Sequence, residues 1–182
     1  MTVAEMPVAP LAMPVAAPAA EAEAKPREIL IINYSGDLEK VWATMILAST
    51  AGAMAVPCRV FVTFWGLQNF VKDSHRITGT NWMQKMLSFM SRPGISHRKL
   101  SKMNFMGMGP WMMGVLAKQY KVSSPKELLE IAQSLGVEFI PCQMTMDMFG
   151  LTRDDLMDGM GEPAGAATVI GAFSEGAAPL FI

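Results

Sequence analysis

Glu28-Ile29-Leu30-Ile31-Ile32-Asn33 restricts the fold of this chain more than any other segment. Successive side chains of a strand point to opposite faces, so four apolar residues in a row describe a strand that must be covered on both sides. Tyr34-Ser35-Gly36-Asp37 then supplies a turn, with Asp37 placed as a helix N-cap. Leu38, Val41, Trp42, Met45, Ile46 and Ser49 recur at helical spacing up to a stop near Gly52.

The same order returns. Arg59-Val60-Phe61-Val62-Thr63-Phe64 is rich in β-branched and aromatic residues and leads into Trp65-Gly66-Leu67 at a turn that opens a second helix. Ser123-Ser124-Pro125-Lys126-Glu127 joins a hydroxyl cap, an early proline and an early acid before Leu128, Leu129, Ile131, Ala132 and Leu135, and Gly136 closes that helix. A third strand at Val137-Glu138-Phe139-Ile140 leaves Cys142 just beyond its end. Residues 163–174 read as a further helix and Pro179-Leu180-Phe181-Ile182 as a last strand. Strands alternating with helices predict an α/β chain with a mainly parallel sheet between helical layers.

At 182 residues, 51% of them hydrophobic, the chain has room for one domain and a tail. Residues 1–26, rich in Ala, Pro and Val, predict a disordered arm, and 27–182 the domain itself. Within it, 81–121 predicts a Met- and Gly-rich helical insertion, with helices broken at Gly109-Pro110. The apolar run 103–117 is shorter than the roughly 20 residues that cross a bilayer. It fits either an apolar hairpin buried at an oligomer contact or a segment lying shallowly in a membrane surface between Lys102 and Lys118.

The net charge of −1 hides an asymmetry, since nine of the 15 Lys and Arg residues fall between Lys72 and Lys121 beside one acid, Asp73. Such a block is most simply a solvated face, and it also suits an anionic substrate, an acidic partner or anionic lipid. The sequence pI near 6.1 and the lack of any recognition motif argue against nucleic acid. Two cysteines, Cys58 and Cys142, make no disulfide framework, and no spacing of Cys or His predicts a metal or other cofactor. Met144, Met146 and Met148 offer thioethers to a soft metal, but packing is the simpler use of methionine. His75 and His97 share no ligand spacing and read as surface residues. A reducing compartment, the cytoplasm, is expected.

In an open parallel sheet, ligands bind beyond the carboxyl ends of the strands. Asn33, Ser35 and Gly36, then Thr63 and Trp65, then Cys142 and Gln143 are expected there, with Cys142 as the reacting group and the others around its substrate. Free N–H groups at the start of a helix over Met144–Phe149 would favour an anionic sulfur, and thiolate is the nucleophilic form. A buried cysteine acting as a small hydrophobe is the competing reading. Cys58, at the amino end of the sheet, reads as structural.

Four blocks taken in order carry a family resemblance: Tyr34-Ser35-Gly36-Asp37-Leu38; Thr63-Phe64-Trp65-Gly66-Leu67; Lys99-Leu100-Ser101-Lys102-Met103-Asn104 with Gly107-Met108-Gly109; and Cys142-Gln143-Met144-Thr145-Met146-Asp147-Met148-Phe149-Gly150. Together they resemble the DsrE2 branch of the DsrE/DsrF/DsrH superfamily over about residues 27–182. The resemblance implies a three-layer, flavodoxin-like α/β/α fold, a homo-oligomer, and a sulfur carrier or sulfurtransferase that holds sulfane sulfur on Cys142 as a persulfide or thiosulfonate. Other sulfur-relay proteins would then be donor and acceptor, and the Met-rich stretch a point of membrane association. The alternative is a membrane-surface or assembly adaptor that needs no thiol chemistry.

Overall fold

A computed structural model of the chain describes residues 28–72, 79–90, 94–95, 99–102 and 105–182. The expected arm over 1–26, together with His75 and His97, lies outside them. The first apolar run forms β1 (Ile29–Asn33), and α1 (Leu38–Ala53) follows it. Asp37 occupies the N-cap position of α1, but its carboxylate takes Lys40 Nζ at 2.9 Å and the Ser35 hydroxyl at 3.0 Å in place of a helix N–H.

The second strand, β2 (Cys58–Val62), starts one residue before the expected Arg59, so Cys58 is its first residue. It ends sooner than expected because Phe64 takes a left-handed φ of +46°, which turns the chain out of the sheet and into α2 (Phe64–Leu67). Two peripheral helices follow, α3 (Trp82–Met90) and α4 (Met108–Gln119). The expected break at Gly109-Pro110 is not there. Proline at the third helical position lacks only an N–H that has no partner in a first turn anyway, so Pro110 helps start α4. The chain bends earlier instead, where Met106 and Gly107 take φ of 56° and 101°.

A complete capping box opens α5 (Pro125–Ser134): Glu127 N–H donates to Ser124 Oγ, Glu127 Oε2 accepts from the Ser124 N–H, and Pro125 stands at the first position. Then come β3 (Glu138–Pro141), α6 (Gln143–Phe149), α7 (Ala166–Ser174) and β4 (Ala178–Phe181).

All pairings in the sheet are parallel, in the order β3-β2-β1-β4. On one face Ile31, Val60 and Phe139 pack with Val41 and Met45 of α1 and Leu129 of α5. On the other Leu30, Phe61 and Ile140 pack with Val169 and Ala172 of α7, and Cys142 belongs to this smaller cluster. The result is the expected three-layer α/β/α architecture. Strand order runs outward from β1 through β2 to β3 and then returns to the far side of β1 for β4, so connections diverge at β1. No described helix is long and apolar enough to cross a membrane.

Candidate functional site

Cys142 follows β3 and serves as the N-cap of α6, with extended backbone at φ −76° and ψ 115°. It is held from both sides. Its N–H donates to the Val62 carbonyl of β2 at 2.9 Å, and an isolated parallel bridge joins it to Ala164, whose carbonyl accepts from Gln143 N–H at 3.0 Å. Because Val62 pairs with Pro141, the next residue of each strand, Thr63 and Cys142, stand side by side on one face.

The hydroxyls of Thr63 and Thr145 are 3.0 Å apart, and Phe64 N–H donates to Thr145 Oγ1 at 3.1 Å. Thr145 has no exposed surface at all. Burial pushes the Cys142 thiol up. Hydrogen bonds to its sulfur from the Thr145 and Thr63 hydroxyls, and from the N–H groups of Thr145 and Met144, outweigh that and hold it below its ordinary value. Among these influences hydrogen bonds favouring the thiolate decide the sign.

Cys58 gives the contrast. The two cysteines are similarly enclosed, at 7% and 4% exposed, yet burial and the Glu28 carboxylate push the Cys58 thiol up to about 11. In the sheet register Cys58 lies about five residues below Cys142, on the order of 16 Å at the usual strand rise, well beyond disulfide reach.

The loops expected around the thiol are locked together. Gly66 N–H donates to the Tyr34 carbonyl at 2.9 Å and Thr63 N–H to the Asn33 carbonyl at 3.0 Å. A side chain at Gly66 would meet Asn33 O and Oδ1 at 2.4 Å, and one at Gly36 would meet the Trp65 carbonyl at 2.9 Å, so both positions need glycine for space. Trp65 in turn lies 5.5 Å, centroid to centroid, from Phe149 at the far end of α6.

Of the residues expected at the site, Thr63 stands beside Cys142 and its hydroxyl helps hold the thiol down, while Gly36 and Trp65 brace the adjoining loops. Gln143 is exposed and donates to Asp147 Oδ1 at 2.7 Å. Asn33 faces the α1 side of the sheet, donating to Thr44 Oγ1 at 3.0 Å, and Ser35 donates to Asp37. Thr145 was not among those expected. Its signal lies in the spacing, since the residue three places after an N-cap can turn its side chain back toward the cap. No group of three or more His, Cys, Asp or Glu residues suited to a metal occurs among the described residues.

The sequence profile of the DsrE/DsrF/DrsH-like family matches residues 25–181. The uncharacterised protein YrkE of Bacillus subtilis is 37% identical over 152 residues, which cover 84% of this chain and 94% of that one. The sulfur carrier protein DsrE2 of Allochromatium vinosum is 33% identical over 142 residues, 78% of this chain and 89% of its own. A structure of protein MTH1491 from Methanobacterium thermoautotrophicum, of unknown function, superposes with a TM-score of 0.51 over 86% of this chain and 99% of its own, at 14% identity, and so shares the fold.

Proposed function

The chain belongs to the DsrE/DsrF/DrsH-like family, and from that membership we propose that it is a sulfur carrier whose Cys142 takes up sulfane sulfur and hands it to another thiol. The observation that carries this reading is the placement of Cys142 past the end of β3 as the N-cap of α6, beside the buried Thr63–Thr145 hydroxyl pair, which favours thiolate inside an otherwise apolar cluster. A thiolate attacks sulfane sulfur and the donor's sulfur–sulfur bond breaks: thiosulfate or a polysulfide departs as sulfite or a shorter polysulfide and leaves a persulfide on Cys142, whereas a polythionate departs as thiosulfate and leaves a thiosulfonate. An acceptor thiolate then attacks the outer sulfur and Cys142 departs as thiolate. Neither step changes the total of electrons, so no redox cofactor is needed.

In this reading Thr63 supports the sulfur directly, Ser35, Gly36 and Trp65 shape the approach, and Gln143 stands at the entrance. Asn33 holds the β1 loop from behind. Because Cys142 is only 4% exposed, a donor must part the loops at the carboxyl end of the sheet or be small enough to slip between them. Upstream and downstream partners are other sulfur-relay proteins, working in a reducing compartment such as the cytoplasm. Intact mass after treatment of the reduced protein with polysulfide or thiosulfate tests the reading. Added sulfur on the wild type and on Cys58→Ala, with none on Cys142→Ala, supports it; equal addition on Cys142→Ala overturns it.

A second reading concerns α4. Gly109 alone is buried in this helix, Trp111 is 67% exposed, and Met112, Val115 and Leu116 are also open to solvent, with Lys118 in the last turn. An apolar helix with tryptophan and terminal lysine suits either a membrane surface or a contact between copies of the chain. Flotation with anionic liposomes, abolished by deletion of residues 103–117, favours the membrane. Sedimentation that falls to monomer on the same deletion, with no flotation before it, favours the homo-oligomer.

A further inference from the structure

The Thr63–Thr145 pair has a property that the carrier reading does not by itself require. Thr145 Oγ1 already accepts the Phe64 N–H; it lies three residues beyond Cys142, which caps its helix, and 3.0 Å from the hydroxyl of Thr63, which stands beside Cys142 across the strands, so its own proton has Thr63 Oγ1 and the Cys142 sulfur as neighbours to turn to. Thr63 has the same choice. While Cys142 holds an extra sulfur, its Sγ is a neutral divalent sulfur and a weak acceptor, so one hydroxyl donates to the other at 3.0 Å and only one proton is left for the sulfur. Once Cys142 becomes a thiolate, both protons can turn to it. The pair therefore loses little in the loaded form and adds stabilisation only as charge collects on Sγ.

We propose that Thr145, with Thr63, is a positioning residue for the discharge step: it stabilises Cys142 as the leaving thiolate when an acceptor takes the outer sulfur. This rests on the carrier reading above. In the step, the acceptor's sulfur or carbon forms a bond to the outer sulfur, the Sγ–S bond breaks, and its electron pair remains on Sγ. Interactions that strengthen only along that coordinate accelerate it. The same hydroxyls make Cys142 a weaker nucleophile once it is ionised, because nucleophilicity falls as thiolate stability rises. Loading and discharge should respond in opposite directions.

Phe64 is part of the device. Its left-handed backbone, unusual for a non-glycine residue, presents its N–H to Thr145 Oγ1 and so commits one lone pair of that oxygen.

The experiment uses the full chain at a pH above which the loading rate of each variant no longer rises, so that Cys142 is ionised in all of them. Loading is followed by intact mass with polysulfide. Discharge is followed by cyanide, which removes the outer sulfur as thiocyanate and frees Cys142 thiolate. In Thr145→Val the ratio of the discharge rate to the loading rate falls severalfold, because a less stabilised thiolate leaves more slowly and attacks faster. Thr145→Ser, which keeps the hydroxyl, restores the ratio. If Thr145→Val fails to fold, Thr63→Val answers the same question, with a fall in the same direction.

An unchanged ratio in a folded Thr145→Val or Thr63→Val protein overturns the proposal while leaving the carrier reading intact. Equal slowing of both steps also overturns it, since that is the signature of a merely structural role. If wild type takes up no sulfur on Cys142, the carrier reading itself has failed and the inference falls with it.

Discussion

The side-chain amide of Gln84 donates to the Asp147 carbonyl at 3.0 Å, fastening α3 to the last turn of α6, the helix that begins at Cys142. The oxygen of the same amide accepts from Thr80 and Asn81 N–H, both at 3.1 Å, so one residue joins the start of α3 to the carbonyl end of α6. Gly79 lies against Gly150 at the same junction, where a side chain on Gly150 would meet the Gly79 Cα at 2.4 Å. Removing this fastening by Gln84→Ala should lower unfolding free energy by about 1 kcal/mol, the usual net worth of such hydrogen bonds. Urea denaturation measures it, with an unchanged m-value expected.

Alkylation of the two cysteines should separate sharply with pH. Hydrogen bonds from Thr145, Thr63 and Met144 hold Cys142 below the ordinary thiol range, so iodoacetamide should modify it first, with a rate that levels off below the pH at which an exposed cysteine does so. Coincident titration of Cys142 with a free thiol would refute this. Its lowered pKa means that Cys142 contributes stability above the unfolded thiol's pKa and loses it as pH falls through the folded value.

Cys58 has the opposite sign. Its folded pKa is raised to about 11, so its contribution is intact below the pKa of the unfolded thiol and is lost as pH rises from there through the folded value. Unfolding free energy should therefore decline between roughly pH 9 and pH 11, and the decline should be shallower in Cys58→Ala than in wild type. Chemical denaturation across that window, compared between the two proteins, checks the point.

Gly66→Ala should be severe. The added methyl would sit 2.4 Å from both Asn33 O and Asn33 Oδ1, and the former is backbone at the end of a central strand that cannot retreat. A loss of about 2 kcal/mol or more is expected from thermal unfolding. Faster alkylation of Cys142 should accompany it, because the β2 loop that carries Thr63 would be displaced.

Ser124→Ala removes half of the reciprocal cap at the start of α5 and should reduce stability by about 1 kcal/mol without changing Cys142 reactivity. Denaturant melts and alkylation rates on the same sample test both halves of this expectation.

Much of the fold is legible in the primary structure because each strand is a short apolar run with its own stop. Ile29–Asn33 and Glu138–Pro141 are bounded by turns or helix caps, and the order of elements then leaves few topologies. The position of Cys142 past the end of β3 follows from the same reasoning. What is hidden is whatever depends on register between distant segments. Thr63 and Thr145 are separated by 82 positions and meet only because β2 and β3 align as they do. The left-handed backbone of Phe64 is equally unreadable, since nothing in a phenylalanine announces a positive φ. Pro110 misleads for a different reason: a proline that ends one helix and a proline that begins another differ only in what precedes them, here the turn at Met106 and Gly107.

The placement of Cys58 and Cys142 at opposite rims of the sheet has a further consequence. Within one copy of the chain, whatever becomes bonded to one sulfur finds no neighbour to displace it. If Cys142 carries sulfur as proposed, each turnover must be finished by a visitor, and the cargo stays on until a second protein or small thiol arrives to claim it.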